Sequence, residues 1–355
     1  MGRMGALDWD NLMAQPRITV LMPVWNGEAY LSQALASILR QTHDDFELLV
    51  VDDGSTDRTA EILTACHDSR LRMLRNETRR KLSGALNRGI AEARGEFIAR
   101  MDADDLMRPD RLARQVACLE RNSDWICCGG AVRTLGCGSG TILRYPCEPA
   151  ELPAFCLFYA PFAHPTVMFR REWFQRAGLA YDGAYYPAED YELWTRILRQ
   201  FPAGNLPQVL LEYRVHGQSM TGGEWSAMDE QTIRVQEQLL RRLGMSPTAE
   251  QLRLHRAASL GRLPPSEESL EQAADWLQQL AASNRETRQY PPERLASMLN
   301  YVWFRQTMAV VRAMGQTAWV LYRQSPLAFM GPEAAKHRWL VRLAALKAQF
   351  FPKPL

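Results

Sequence analysis

Residues 100–105 read Arg-Met-Asp-Ala-Asp-Asp, so three carboxylates fall within four positions directly after the apolar run Phe97, Ile98 and Ala99. Adjacent carboxylates repel, and burial raises the cost of ionising them. Such a cluster needs a cation, solvent or both. Asp102 and Asp104, two apart where the backbone turns, could share one divalent cation, or divide a cation and a ribose hydroxyl between them. Hard cations such as Mg²⁺ and Mn²⁺ take oxygen ligands and often bridge a carboxylate to phosphates. Alone, this D-x-D pattern reads equally well as a solvated turn that caps a helix. It is accompanied by two more polar clusters, Pro23-Val24-Trp25-Asn26 with Glu28, and Asp52-Asp53-Gly54-Ser55-Thr56-Asp57. A fourth acidic pair, Glu189-Asp190, opens the helical stretch YELWTRILRQ, where the helix dipole favours ionised carboxylates and simple capping is the plain alternative. No G-x-x-x-x-G-K-[ST] and no G-x-G-x-x-G follows the first apolar run, so the usual glycine cradles for phosphate are missing.

The elements that must hold these clusters alternate. RITVLMPV, FELLVVDDG, RLRMLRN and EFIARMDADD read as buried strands; EAYLSQALASILRQ, DRTAEILTAC, SGALNRGIAEAR and RPDRLARQVACLE read as amphipathic helices. Continuous apolar strands interleaved with helices predict an α/β fold, a mostly parallel sheet covered on both faces. In such sheets ligands lie beyond the carboxyl ends of the strands, where the three polar clusters fall. From about residue 222 the strand signals stop and helical patterns continue to the end. The expected division is therefore 1–221, an α/β domain, and 222–355, a helical domain.

The chain has 355 residues, nearly half of them apolar, and a net charge of +2, which argues against a general nucleic-acid binder. Seven cysteines without a C-x-x-C pair read as reduced thiols. The first residues carry no apolar leader-like stretch, and no run of about 18 apolar residues predicts a membrane span. The expected location is cytoplasmic, with a peripheral position at the inner face of the cytoplasmic membrane left open.

The clusters, together with HPTVMFRREWFQRAGLAYDGAYYPAEDYELWTRIL and YRVHGQSMT, come in an order and spacing that resembles glycosyltransferase family 2, the inverting nucleotide-sugar transferases of GT-A fold. The resemblance covers residues 17 to about 220. It implies a hexosyltransferase-type enzyme (EC 2.4) that moves a sugar from a nucleotide-diphosphate donor, expected to be a UDP-sugar, to a saccharide or lipid-linked saccharide acceptor in surface polysaccharide or glycolipid synthesis. By the resemblance, Pro23, Val24, Trp25 and Glu28 belong to the nucleoside side and Asp53 contacts the base. Asp104 holds Mn²⁺ or Mg²⁺, with Asp102 toward the metal or the ribose, and Asp105 positions the loop. Asp190 is the catalytic base with Glu189 beside it. A basic residue among Arg79, Arg80 and Lys81 reaches the donor, Lys81 being the one assigned. His216 approaches the diphosphate or metal, with a satisfied surface or core histidine the alternative. His164 and Trp194 line the acceptor site, with a core role the alternative for each. The stretch NETRRKLSGALNRG lacks the first glycine that relatives carry there. A nucleotidyltransferase and a catalytically inactive sugar-nucleotide or glycan-binding module are the competing functions.

The end of the chain is basic: residues 301–355 hold eight Lys/Arg and one acid, Glu333. In KHRWLVRLAALKAQFF, Trp339, Leu343, Leu346 and Phe350 form one helical stripe, with Lys336 and Lys347 near it and Arg338 and Arg342 off it. Two expectations stand: the stripe packs on the helical domain, or it contacts an anionic membrane surface.

Overall fold

A computed structural model describes residues 15–136, 140–215 and 225–350. The chain divides into two compact units, one of residues 1–149 and 162–225, the other of residues 150–161 and 226–355. The linear division at 221/222 falls in a segment outside the described residues, and the excursion of 150–161 into the second unit has no counterpart in it.

The first unit is built on one sheet. Its strands are β1 (Ile18–Val24), β2 (Phe46–Asp52), β3 (Leu71–Arg75), β4 (Phe97–Arg100), β5 (Leu106–Met107), β6 (Cys127–Gly136), β7 (Ile142–Leu143), β8 (Met168–Arg170) and β9 (Ala203–Val215). They run in the order β3-β2-β1-β4-β8-β6-β9-β5, with β7 on β6. β1, β2, β3 and β4 pair in parallel, as their apolar continuity predicts. Beyond β4 the sheet is mixed: β8 runs antiparallel to both β4 and β6, β6 and β9 are parallel, and β5 is antiparallel to β9. The sheet is therefore less parallel than the sequence pattern suggests, because β6 and β8 carry weak local strand signals.

All seven residues of β1 and all seven of β2 are buried, which requires cover on both faces. Part of that cover comes from α1 (Leu31–Leu39), α2 (Thr59–Thr64), α3 (Lys81–Glu92) and α4 (Arg111–Arg121). The core joins Ile18, Val20 and Met22 of β1 to Leu35 and Ile38 of α1, Leu48 and Val50 of β2, and Leu112, Val116 and Leu119 of α4. The segment that follows α3 approaches β1 closely. A Cβ on Gly95 would stand 2.4 Å from Thr19 N and 2.6 Å from Ile18 C, both backbone atoms that no rotamer change can move. Gly95→Ala is accordingly expected to cost about 1–3 kcal/mol, read as a lowered denaturant midpoint of the unit.

The register brings the chemistry together. Val24 pairs with Asp52, Asp52 with Arg75, and Leu21 with Arg100, so four loops leave the same edge of the sheet. Backbone bonds continue the ladder past the strand ends: Asp53 N donates to Val24 O (2.8 Å), Asn76 N to Asp52 O (2.8 Å) and Met101 N to Leu21 O (3.0 Å).

Candidate active site

The loops after β1 and β2 are tied to each other. Asn26 adopts φ 51°, a left-handed conformation that Asn tolerates. Its backbone N–H donates to Ser55 Oγ (2.9 Å), and its side-chain oxygen accepts from Thr56 N (2.9 Å). Gly27 N donates to Thr59 Oγ1 (2.8 Å). Glu28 joins the same seam from both ends: its N–H donates to Asp57 Oδ2 (3.0 Å) and its carboxylate accepts from Arg58 N (3.1 Å). Glu28, expected on the donor side, is exposed and meets Arg58 N through one carboxylate oxygen.

Asp53 is nearly inaccessible and accepts from Asn76 Nδ2 (2.6 Å) and Arg80 N (2.8 Å), which anchors the loop after β3 to the end of β2. Pro23 and Val24 are buried at the end of β1, while Trp25 is 44% exposed. The Arg79 guanidinium lies over the Trp25 ring, 3.4 Å from its centroid, a cation–π contact. The three basic residues of this loop therefore go different ways: Arg79 to Trp25, Arg80 by its backbone to Asp53, and Lys81 toward the Tyr186 ring at 5.4 Å.

At the end of β4, carboxylate oxygens of Asp102, Asp104 and Asp105 all lie within 4.8 Å of one another. An all-oxygen set with this spacing suits Mg²⁺ or Mn²⁺. Below it is a group the motif reading passed over. Arg100 is 3% exposed, and its Nη1 donates to Asp102 Oδ2. Arg111, at the start of α4, is fully buried and donates to the Arg100 carbonyl (2.7 Å) and to Gln115 Oε1 (2.9 Å). Burial, reinforced by Arg100, depresses the Arg111 pKa to about 9. Burial would depress Arg100 too, but Asp102, Tyr181 and Asp105 together outweigh it and leave Arg100 above its ordinary value. Asp102 stays above the usual carboxylate range because burial outweighs Arg100. Asp105 is raised well above that range by burial and by its acidic neighbours. Its Oδ1 accepts from Arg214 N (2.7 Å), and Arg214 Nε donates to the Asp104 carbonyl (2.7 Å). Arg214 of β9 thereby fixes the turn that presents the cluster. The YRVH stretch carries that signal in Arg214; His216, expected near the diphosphate or metal, lies outside the described residues.

Glu189 and Asp190 begin the helix Glu189–Ile197, α7, which follows the short helices α5 (Leu152–Cys156) and α6 (Arg171–Arg176) in chain order. Their exposure separates them. Glu189 is 1% exposed, and its Oε2 has no hydrogen-bond partner among the described residues; burial, then Asp190, lift its pKa to about 7. The Asp190 side chain is 23% exposed and accepts from Tyr191 N (2.7 Å); burial lifts its pKa to about 6 against that hydrogen bond and the Arg100 charge. Of the two, Asp190 is the carboxylate a substrate can reach. His164 Nδ1 stands 3.9 Å from Asp190 Oδ2, and its Nε2 is hydrogen-bonded to Tyr181 OH at 2.8 Å. Burial and the Arg100 charge hold His164 neutral, so this contact is dipolar.

Trp194 needs correction. It is fully buried, edge-on to Phe162 and His164 at ring separations of 5.3 and 5.9 Å. One turn after Asp190 on an amphipathic helix it faces inward, and no ring face is left for a sugar. The core alternative holds.

This arrangement combines metal-type carboxylates and a stacked Trp–Arg pair on loops at the strand ends with an accessible carboxylate of raised pKa at the start of α7. Residues 19–177 match glycosyl transferase family 2. The putative glycosyltransferase EpsE of Bacillus subtilis is 32% identical over 207 residues, covering 56% of this chain and 73% of that one. The O-antigen biosynthesis glycosyltransferase WbnJ of Escherichia coli is 34% identical over 212 residues, covering 57% and 81%. The chain belongs to glycosyltransferase family 2 and is a glycosyltransferase. Its likeness in structure extends further: S. aureus TarS 1-349 in complex with UDP-GlcNAc superposes with a TM-score of 0.56 at 17% identity, over 93% of this chain and 92% of that one. The fold is GT-A, followed by a helical C-terminal region.

Proposed function

We propose that the protein transfers a hexose from a UDP-sugar to an acceptor hydroxyl with inversion at the anomeric carbon, acting in the synthesis of a bacterial surface polysaccharide or glycolipid. The observation that carries this reading is Arg100. It is ion-paired to Asp102 and acts electrostatically on both Glu189 and Asp190, so carboxylates almost ninety residues apart in sequence share one buried cation. In the proposed reaction Asp190 takes the proton from the acceptor hydroxyl. The oxygen attacks the anomeric carbon from the face opposite the diphosphate, and the bond from that carbon to the diphosphate oxygen breaks. A carboxylate with a pKa of about 6 is a competent base near neutral pH. Trp25, Val24 and Pro23 provide the apolar floor for the base, and Asp53 fixes the loop that closes against it. A Mn²⁺ or Mg²⁺ on Asp104 and Asp102 would offset the diphosphate charge. The acceptor is a saccharide or lipid-linked saccharide, and the work site is the inner face of the cytoplasmic membrane, reached by peripheral association.

The test is a panel of nucleotide sugars in thermal shift, with and without Mn²⁺, followed by NMR of fresh product. A UDP-sugar should raise the melting temperature by mass action, and the new linkage should have the inverted configuration. A retained configuration, or no stabilisation by any nucleotide sugar, would overturn the reading. For the cation, Asp104→Ala is expected to abolish the Mn²⁺-dependent gain in UDP affinity measured by calorimetry while leaving the far-UV spectrum unchanged.

A further inference from the structure

The C-terminal helix packs by a different face from the one its large apolar residues mark. After α8 (Trp225–Arg242), α9 (Ala249–Leu260), α10 (Glu267–Thr287), α11 (Pro292–Met314) and α12 (Gln316–Gln324), the second unit closes with α13 (Ala334–Phe350). The buried positions of α13 are Ala334, His337, Val341 and Ala345, a narrow stripe of mostly small side chains. His337 stacks on Phe304 of α11, with centroids 4.1 Å apart, and its Nδ1 bonds Asn300 Oδ1 (2.6 Å). With that face satisfied, the stripe noted in the sequence points away: Trp339 is 62% exposed and Leu346 38%, with Leu343 half-buried between them. Phe329, just before α13, is 61% exposed and is tied to that helix through Arg338. The Arg338 guanidinium lies 4.5 Å from its ring centroid and donates to the Ala328 carbonyl (2.8 Å).

The charges of α13 itself have one sign. α13 carries Lys336, Arg338, Arg342 and Lys347 and no acid. Glu333, just before it, is paired with Lys336 (2.7 Å). We propose that Phe329, Trp339 and Leu346, flanked by Arg342 and Lys347, form a docking surface for an anionic lipid bilayer, with α13 lying in the plane of the headgroups. This deepens the peripheral association suggested above and depends on it only for its biological purpose. Aromatic side chains beside long cationic ones are the composition of interfacial helices, the cations reaching up to the phosphates while their stems cover apolar surface. A second protein fits less well. Three partly exposed side chains supply far less than the roughly 800 Å² per partner of a stable interface, and lysine is depleted in such interfaces. Among the described residues no helix is long and apolar enough to cross a membrane, so the contact is one of surface.

The test uses the full chain and no donor or acceptor, so its failure leaves the transferase reading untouched. Deleting α13 would uncover the α11 face around Asn300 and Phe304 on which His337 packs, so point variants are preferred. The protein is sedimented with vesicles of phosphatidylcholine alone, and of phosphatidylcholine with an equal part of phosphatidylglycerol, at low and high salt. Binding is expected only with phosphatidylglycerol, weakened by salt. R342Q/K347Q should partition roughly thirty-fold more weakly. F329S/W339S should fail to sediment while melting at the wild-type temperature. Wild-type protein remaining in the supernatant at low salt would overturn the proposal, as would undiminished sedimentation of F329S/W339S. A wild-type dimer that F329S/W339S dissolves, with neither form sedimenting, would assign the surface to a second copy of the chain instead.

Discussion

Asp190→Asn is expected to keep donor affinity and to lose transfer by a factor on the order of 10²–10⁴, the usual scale for losing a general base. The replacement preserves the oxygen that accepts from Tyr191 N, so the start of α7 should stay formed. What it removes is a partly buried negative charge. Asp190 faces His164, which is held neutral, Tyr145 and Tyr181, the like charges of Glu189 and Asp102, and the favourable charge of Arg100. Because its folded pKa is about 6, above the ordinary value of 3.8, the folded state binds more protons than the unfolded chain between those limits. Stability therefore falls as pH rises through that window, and the full cost is present above it. Asp190→Asn does not bear this cost. The variant should melt above wild type at pH 8, and the difference should vanish near pH 4. The wild-type rate should drop as pH falls through about 6. A pH–rate profile flat across pH 5–8 under conditions where chemistry limits the rate would remove Asp190 from the base role.

Arg100→Met should be the most damaging single change in the first unit, with an expected loss of about 3–5 kcal/mol, the range for removing one partner of a buried ion pair. The guanidinium is 3% exposed and compensates Asp102 directly and Asp105, Glu189 and Asp190 at longer range. Without it, carboxylates already raised by burial move further above their unfolded values. The penalty should consequently be largest above pH 7 and shrink as these groups take up protons below it. Urea midpoints at pH 5 and pH 8 measure this directly. Arg100→Lys should recover part of the loss, since charge returns without the planar donor geometry. Equal destabilisation by Met at both pH values would mean that Arg100 contributes packing alone.

Arg100 was legible in principle. A lone cation inside the apolar run Phe97–Met101 must be paired if the strand is buried, and the paired acid was two residues on. Strands β1 to β4 were readable because uninterrupted apolar runs on a two-sided sheet leave few alternatives. β6 was not. Its CCGGAVRTLG begins with residues of poor strand propensity, and the glycines are dictated by remote neighbours: a Cβ on Gly129 would meet Asn205 Oδ1 at 2.5 Å, and one on Gly130 would meet Leu210 Cδ1 at 2.4 Å. Local sequence cannot announce a constraint imposed from across the sheet. Trp194 illustrates the same gap, because one aromatic a turn after a carboxylate fits a sugar platform and a core equally until its environment is known. The recurring acidic strand ends carried most of the site, since such charge at buried strand ends has few uses.

The excursion of residues 150–161 has a practical consequence for anyone dissecting this enzyme. Phe158 is stacked on His255 with centroids 4.7 Å apart, Leu157 O is bonded to His255 Nε2, Phe158 O accepts from Gln236 Nε2, and Tyr159 OH donates to Ser259 O. The catalytic half thus contains, in mid-sequence, a plug belonging to the other half. A stop codon after residue 225 would not release a self-sufficient catalytic fragment. It would leave Leu152, Leu157 and Phe158, all fully buried in the intact protein, without the helices that cover them. Sequence order and structural unit part company here, so a cut at residue 225 divides the second unit rather than separating it from the first.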